Sequence, residues 1–97
     1  GGVLVELAGD VALRLLPVTQ DDVRAMLDGL KVKRLLDGFR GGKPADVDAL
    51  VHAVCAVGGF YLDHRTWLAD LEINPLMVRE AGGGVAVVDI RAVQRDG

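Results

Sequence analysis

The sequence predicts an α+β domain, an antiparallel sheet of two hairpins packed on two main helices in the order β-β-α-α-β-β. Three observations carry that prediction. The chain opens on two short apolar runs, "VLVEL" and "VALRLL", parted by the turn signal "AGD". It closes on two more, residues 67–78 and 85–93, parted by glycines 82–84. Between these pairs, apolar residues recur at helical spacing. The 97 residues suit a single domain spanning residues 1–97.

The first two strands are expected at residues 3–7 and 11–16, with Ala8, Gly9 and Asp10 as a three-residue loop. Leu7 then faces Val11, Val5 faces Leu13, and Val3 faces Leu15, which gives one wholly apolar face. Glu6 and Arg14 share the other face. Pro17 ends the second strand. Thr19 is a good N-cap, and Asp21 and Asp22 follow in a first turn that favours negative charge. Val23, Met26, Leu27 and Leu30 form the apolar stripe of that helix. Residues 31–36 read as a short turn or one-turn helix, followed by a loop to about residue 43.

The longest helical stretch comes next, with Pro44 suited to its first turn. Val47, Leu50, Val51, Val54, Val57 or Gly58, and Tyr61 make its stripe. Gly58-Gly59 costs ~1 kcal/mol per glycine relative to alanine, so the pair calls for a kink or close packing against a neighbouring strand.

Composition excludes several function classes. Eleven basic residues stand against fourteen acidic ones, and the net charge of −3 does not suit a nucleic-acid surface. The local run Lys31, Lys33 and Arg34 reads as a solvated face. The single cysteine, Cys55, allows no intramolecular disulfide and suits a reducing, cytoplasmic setting. It is expected as a buried, inert thiol among helix residues. No apolar run is long enough for a membrane span. The chain does not begin with Met and is expected to be a processed product or an excised piece of a larger protein.

The last hairpin, "LEINPLMVREAGGGVAVVDIRA", poses the functional question, because Glu72, Asn74 and Asp89 interrupt two apolar strands. A turn centred on Gly82-Gly83 pairs Glu80 with Val85, Asn74 with Arg91, and Leu76 with Asp89. Glu72, Asn74 and Asp89 then share one face, with Asp89 diagonal to Asn74, and Leu71, Ile73, Val88 and Ile90 form the core face toward the helices. Clustered oxygen donors suit a hard cation such as Mg²⁺. A solvated acidic surface with Arg91 as counterion fits the same spacing. Pro75 belongs at an edge or bulge.

"EINPL" followed by "VVDIRA" resembles the nucleotide-binding chain of the ADP-forming acyl-CoA synthetases, ATP-grasp ligases related to the succinyl-CoA synthetase beta chain. "GGVLVELAGDVALRLLPVTQDDVRAML" and "LLDGFRGGKPADVDAL" are similar to further segments of that family, in order along nearly the whole chain. Leu13, Leu16 and the Gly-Gly pair in "VGGFYLDHRTW" depart from its pattern. The resemblance implies the C-terminal subdomain of an ATP-grasp module, as a fragment of a larger protein. It implies that Asn74 and Asp89 hold the Mg²⁺ bridging the nucleotide phosphates, and that Glu72 lies at the phosphoryl-transfer centre where a phosphohistidine docks. ATP or GTP and CoA are the implied substrates. The implied partners are the other ATP-grasp subdomain, which carries the nucleotide lysine and the adenine-contacting segment, and a CoA-binding domain or subunit.

Other polar residues carry less. Arg40, in the glycine-flanked "GFRGG", reads either as a phosphate or substrate contact or as a plain loop residue. His52 and His64 lack catalytic partners at recognisable spacing and read as structural or solvent-facing. Glycines 82–84 lead into a strand and are no phosphate loop. Two further readings stay open beside the ligase: a ligand-sensing synthetase-like region joined to an acetyltransferase, and a stand-alone α+β interaction domain.

Overall fold

The computed structural model describes residues 2–7, 10–30, 33–38 and 42–96, with side chains for most of these. The first hairpin pairs β1 (Gly2–Leu7) with β2 (Asp10–Leu15) in antiparallel register. Leu7 opposes Asp10, so the connection is residues 8–9 and not the expected three-residue loop. That one-residue difference turns every side chain of one strand over. Val5 faces Ala12 on the inner side, whereas Leu4 faces Leu13 on the outer side. Leu4, Val11, Leu13 and Leu15 are exposed, and both faces of the hairpin are apolar. An expectation built on a single buried face therefore chose the wrong loop. Glu6 and Arg14 lie on opposite faces, and Arg14 instead approaches Asp22 at 4.0 Å.

Helix α1 (Gln20–Asp28) begins where its cap dictates. The Thr19 hydroxyl accepts from the Asp22 N–H at 3.1 Å, and Asp22 Oδ2 accepts from the Thr19 N–H at 2.8 Å. This reciprocal box satisfies two N–H groups that have no intrahelical partner. Val23, Met26, Leu27 and Leu30 are buried, as their spacing requires. A single turn, α2 (Lys33–Leu36), follows and buries Leu36.

Helix α3 (Val47–His64) starts later than its sequence suggested. Asp46 is the N-cap, and Pro44 lies outside the helix because residues 44–46 pair elsewhere. The helix runs unbroken through Gly58-Gly59. Gly58 is buried, and a Cβ there would lie 2.8 Å from Leu16 Cδ2, so the glycine permits close approach of the segment following β2. Gly59 faces open space. Val23, Leu27, Leu30, Leu36, Leu50 and Val51 form the core. Cys55 is only half-buried at its margin.

The last hairpin is two ladders in succession. β3 (Leu68–Ile73) pairs with β6 (Ile90–Gln94), and β4 (Leu76–Val78) pairs with β5 (Val85–Val87). The break falls at Asn74–Pro75, whose peptide is cis, as is Leu16–Pro17. Proline there removes a donor between the ladders. Leu71 and Ile73 are half-buried before the break, and Leu76 and Val78 after it, so the inward parity changes across it.

The register differs from the expected one by two residues. Val78 faces Val85, and Glu80 leaves the ladder to bridge with Ala45. Gly82 and Gly84 adopt φ of +83° and +78°, which the turn from Arg79 to Gly84 requires. Val88 and Ile90 are 60% and 57% exposed and are not covered by the helices as expected. β6 is exposed along its whole length because the helices lie under β3 and the β4–β5 hairpin.

Candidate functional site

The polar face of the last hairpin sits at the junction of its two ladders. The N–H of Asn74 donates to the Asp89 carbonyl at 3.2 Å, and the N–H of Val88 donates to the Pro75 carbonyl at 3.1 Å. Asn74 therefore opposes Asp89 directly. The expected diagonal, with Arg91 opposite Asn74, is corrected. Arg91 opposes Glu72 instead. Directly opposed residues point to one face, and so do residues two apart on a strand. Glu72, Asn74, Asp89 and Arg91 thus share a face, and all four are exposed. A shift of two residues preserves this parity.

Local hydrogen bonds orient the donors. Asp89 Oδ1 accepts from the Ile90 N–H at 3.0 Å, which holds the carboxylate. Asn74 Nδ2 donates to Glu72 Oε1 at 3.4 Å, which leaves the amide oxygen available as a ligand. No ion pair links Glu72 to Arg91 among the described residues. The described residues also contain no cluster of three or more His, Cys, Asp or Glu side chains suited to a metal. An amide oxygen and one or two carboxylates form an incomplete cage. That donor set fits Mg²⁺, which keeps several waters and takes further oxygens from substrate phosphates.

Glu72 and Asn74 also line an open cleft of about 990 Å³. Leu50, Val54, Val57 and Tyr61 of α3 line it as well. Consecutive residues of β1 and β3 line its walls, as strand edges do. Asp89 lies outside the cleft lining.

The sequence matches the ATP-grasp domain family over residues 1–93. This chain belongs to the ATP-grasp domain family. It is 36% identical over 93 residues to the beta subunit of the ADP-forming acetate–CoA ligase II of Pyrococcus furiosus, covering 96% of this chain and 39% of that protein. It is 42% identical to the ADP-forming acetate–CoA ligase I of Archaeoglobus fulgidus, covering 96% of this chain and 13% of that protein. Among solved structures, it resembles the dinucleotide forming acetyl-coenzyme A synthetase 1 of Ca. Korarchaeum cryptofilum in complex with coenzyme A and Mg-AMPPCP. The TM-score is 0.82 at 31% identity, covering 89% of this chain and 39% of that one. The ATP-grasp chain described here thus spans well under half the length of these relatives. The α+β architecture and the family expected from sequence both hold.

Of the other expected residues, Arg40 lies outside the described residues. His52 is exposed, and half-buried His64 stacks on Phe60 with ring centroids 4.0 Å apart. No helix of the described residues is long and apolar enough to cross a membrane. Sequence reasoning does not single out Asp46, which caps α3 and also accepts from the Gly84 N–H of the hairpin turn. Its position before a helical stripe was a cap signal, but its second partner lies 38 residues away in sequence and leaves no local trace.

Proposed function

We propose that this chain is the C-terminal subdomain of the ATP-grasp module of an ADP-forming acyl-CoA synthetase, and that its last hairpin is the phosphate-facing floor of the nucleotide site. The opposition of Asn74 and Asp89 on an exposed face beside Glu72 carries this reading. The likeness to ADP-forming ligases and to a synthetase structure holding coenzyme A and Mg-AMPPCP supports it.

In this proposal Asn74 and Asp89 would hold Mg²⁺, which offsets phosphate charge as it develops during phosphoryl transfer. The chain's own work is positional. The backbone bond between Asn74 and Asp89 sets the spacing of their donors, and the Ile90 N–H aims the Asp89 carboxylate. Glu72 lies beside the phosphoryl-transfer centre, where a phosphohistidine docks. Arg40 is the proposed phosphate contact. The complete protein would join an acyl acid to CoA with ATP or GTP, through an acyl phosphate and a phosphohistidine. The partner subdomain and a CoA-binding domain supply the remaining groups.

The test is nucleotide-dependent acyl-CoA formation by a full-length protein carrying this chain, titrated with magnesium, for wild type, Asn74→Ala and Asp89→Ala. Loss of turnover in folded variants supports the reading. Wild-type turnover by both variants at limiting magnesium sinks the site assignment. Nucleotide and CoA binding without turnover in the wild type points to a ligand-sensing region instead.

A further inference from the structure

We infer that Asp46 is a positioning residue for the Asn74–Asp89 pair, an inference that rests on the phosphate-site reading above. Its carboxylate bridges two elements. Oδ1 accepts from the Ala49 N–H at 3.1 Å and caps α3, while Oδ2 accepts from the Gly84 N–H at 2.8 Å in the hairpin turn. The backbone around it runs against the same turn. The Asp46 N–H donates to the Arg79 carbonyl at 2.7 Å, and the Ala81 N–H donates to the Pro44 carbonyl at 2.9 Å. Ala45 bridges with Glu80. Residues 44–46 thus act as a short third strand that fastens the turn to the start of α3.

This clamp matters at the site because of what lies between. The β4–β5 ladder has only the pairs Leu76–Val87, Met77–Ala86 and Val78–Val85, and it leads directly to Asn74 and Asp89. Leu76, Val78 and Val85 pack on the core, but apolar packing is non-directional and leaves the roll of a short hairpin loosely set. Directed hydrogen bonds at its far end fix that roll. Both carboxylate oxygens are used, so an amide at position 46 satisfies only one of the two N–H groups.

The experiment uses a full-length synthetase carrying this chain, with Asp46→Asn, Asp46→Ala, Asp89→Ala and the double variant Asp46→Ala/Asp89→Ala. KM for Mg-nucleotide and kcat are measured below each variant's melting transition. Asp46→Ala is expected to raise KM roughly tenfold, within the ~10²-fold that a 1 Å misplacement can cost. Asp46→Asn falls between it and wild type. On the Asp89→Ala background the Asp46 effect is largely lost, because one route carries both. If Asp46→Ala lowers the melting temperature but leaves KM unchanged while Asp89→Ala raises it, the clamp is only a stabilising tie and the inference fails alone. If Asp89→Ala leaves the magnesium dependence unchanged, the phosphate-site reading and this inference fall together. Asp46→Asn decides the matter if Asp46→Ala does not fold.

Discussion

Asn74 and Asp89 stand directly opposite one another, joined by a 3.2 Å hydrogen bond from the Asn74 N–H to the Asp89 carbonyl. The main chain holds this pair while both side chains remain exposed. Truncating either side chain therefore opens no cavity and leaves the backbone bond in place.

In this chain, Asn74→Ala and Asp89→Ala are expected to melt within ~0.5 kcal/mol of wild type, as surface substitutions do. In a full-length synthetase carrying it, turnover should fall by about 10²-fold or more, the scale of one lost electrostatic group. Asp89→Ala should be the worse variant, since it removes a full charge where Asn74→Ala removes a dipole. Denaturant melts beside steady-state assays check both halves.

The chain by itself should form no acyl-CoA from ATP, an acyl acid and CoA. A half-cleft neither excludes water nor orients a phosphoryl group. Thioester formation by the purified 97-residue chain would show that its proposed boundaries are wrong.

Core and rim should respond in opposite ways. Leu27 and Val51 are fully buried, and Leu27→Ala should cost ~2–5 kcal/mol through cavity formation. Val88 is 60% exposed, so Val88→Ala should cost under ~0.5 kcal/mol in the same melts. A loss at Val88 as large as that at Leu27 would contradict the observed exposure.

The two helix glycines also differ. Gly59→Ala meets nothing within 4 Å and should gain up to ~1 kcal/mol from helix propensity. Gly58→Ala places its methyl 2.8 Å from Leu16 Cδ2 and forces that side chain to shift. Its gain should be smaller or reversed. Equal stabilisation of the two variants would mean that Leu16 does not seat against α3.

Acid should weaken the fold through Asp22 and Asp46. The Thr19 backbone N–H, followed by its hydroxyl, holds the Asp22 carboxyl below its ordinary value of 3.8. The Ala49 and Gly84 N–H groups lower Asp46 in the same way. A lowered carboxyl contributes stability above its unfolded value and loses it as pH falls through the folded value. The melting temperature should therefore drop on acidification below about pH 4, and Asp22→Asn should flatten that drop. An unchanged acid profile for Asp22→Asn would remove the capping box as its cause.

The sequence by itself determined the start of α1, because Thr19 and Asp22 cap it through bonds three residues long, and the buried stripe Val23, Met26, Leu27 and Leu30. It also placed Glu72, Asn74 and Asp89 on one face, since strand parity survives any shift of two residues. Tertiary structure alone decided which residue opposes which. Glu80 leaves its ladder for Ala45, and Asp46 takes the Gly84 N–H, so contacts from a distant segment set the register of a glycine-rich turn whose local preferences allow several. The first hairpin shows the same division. Its β pattern was legible, but with apolar residues on both faces no burial rule could choose between loops one residue apart. Short-range periodicity fixes which residues share a face, whereas register and exposure depend on partners far away in the chain.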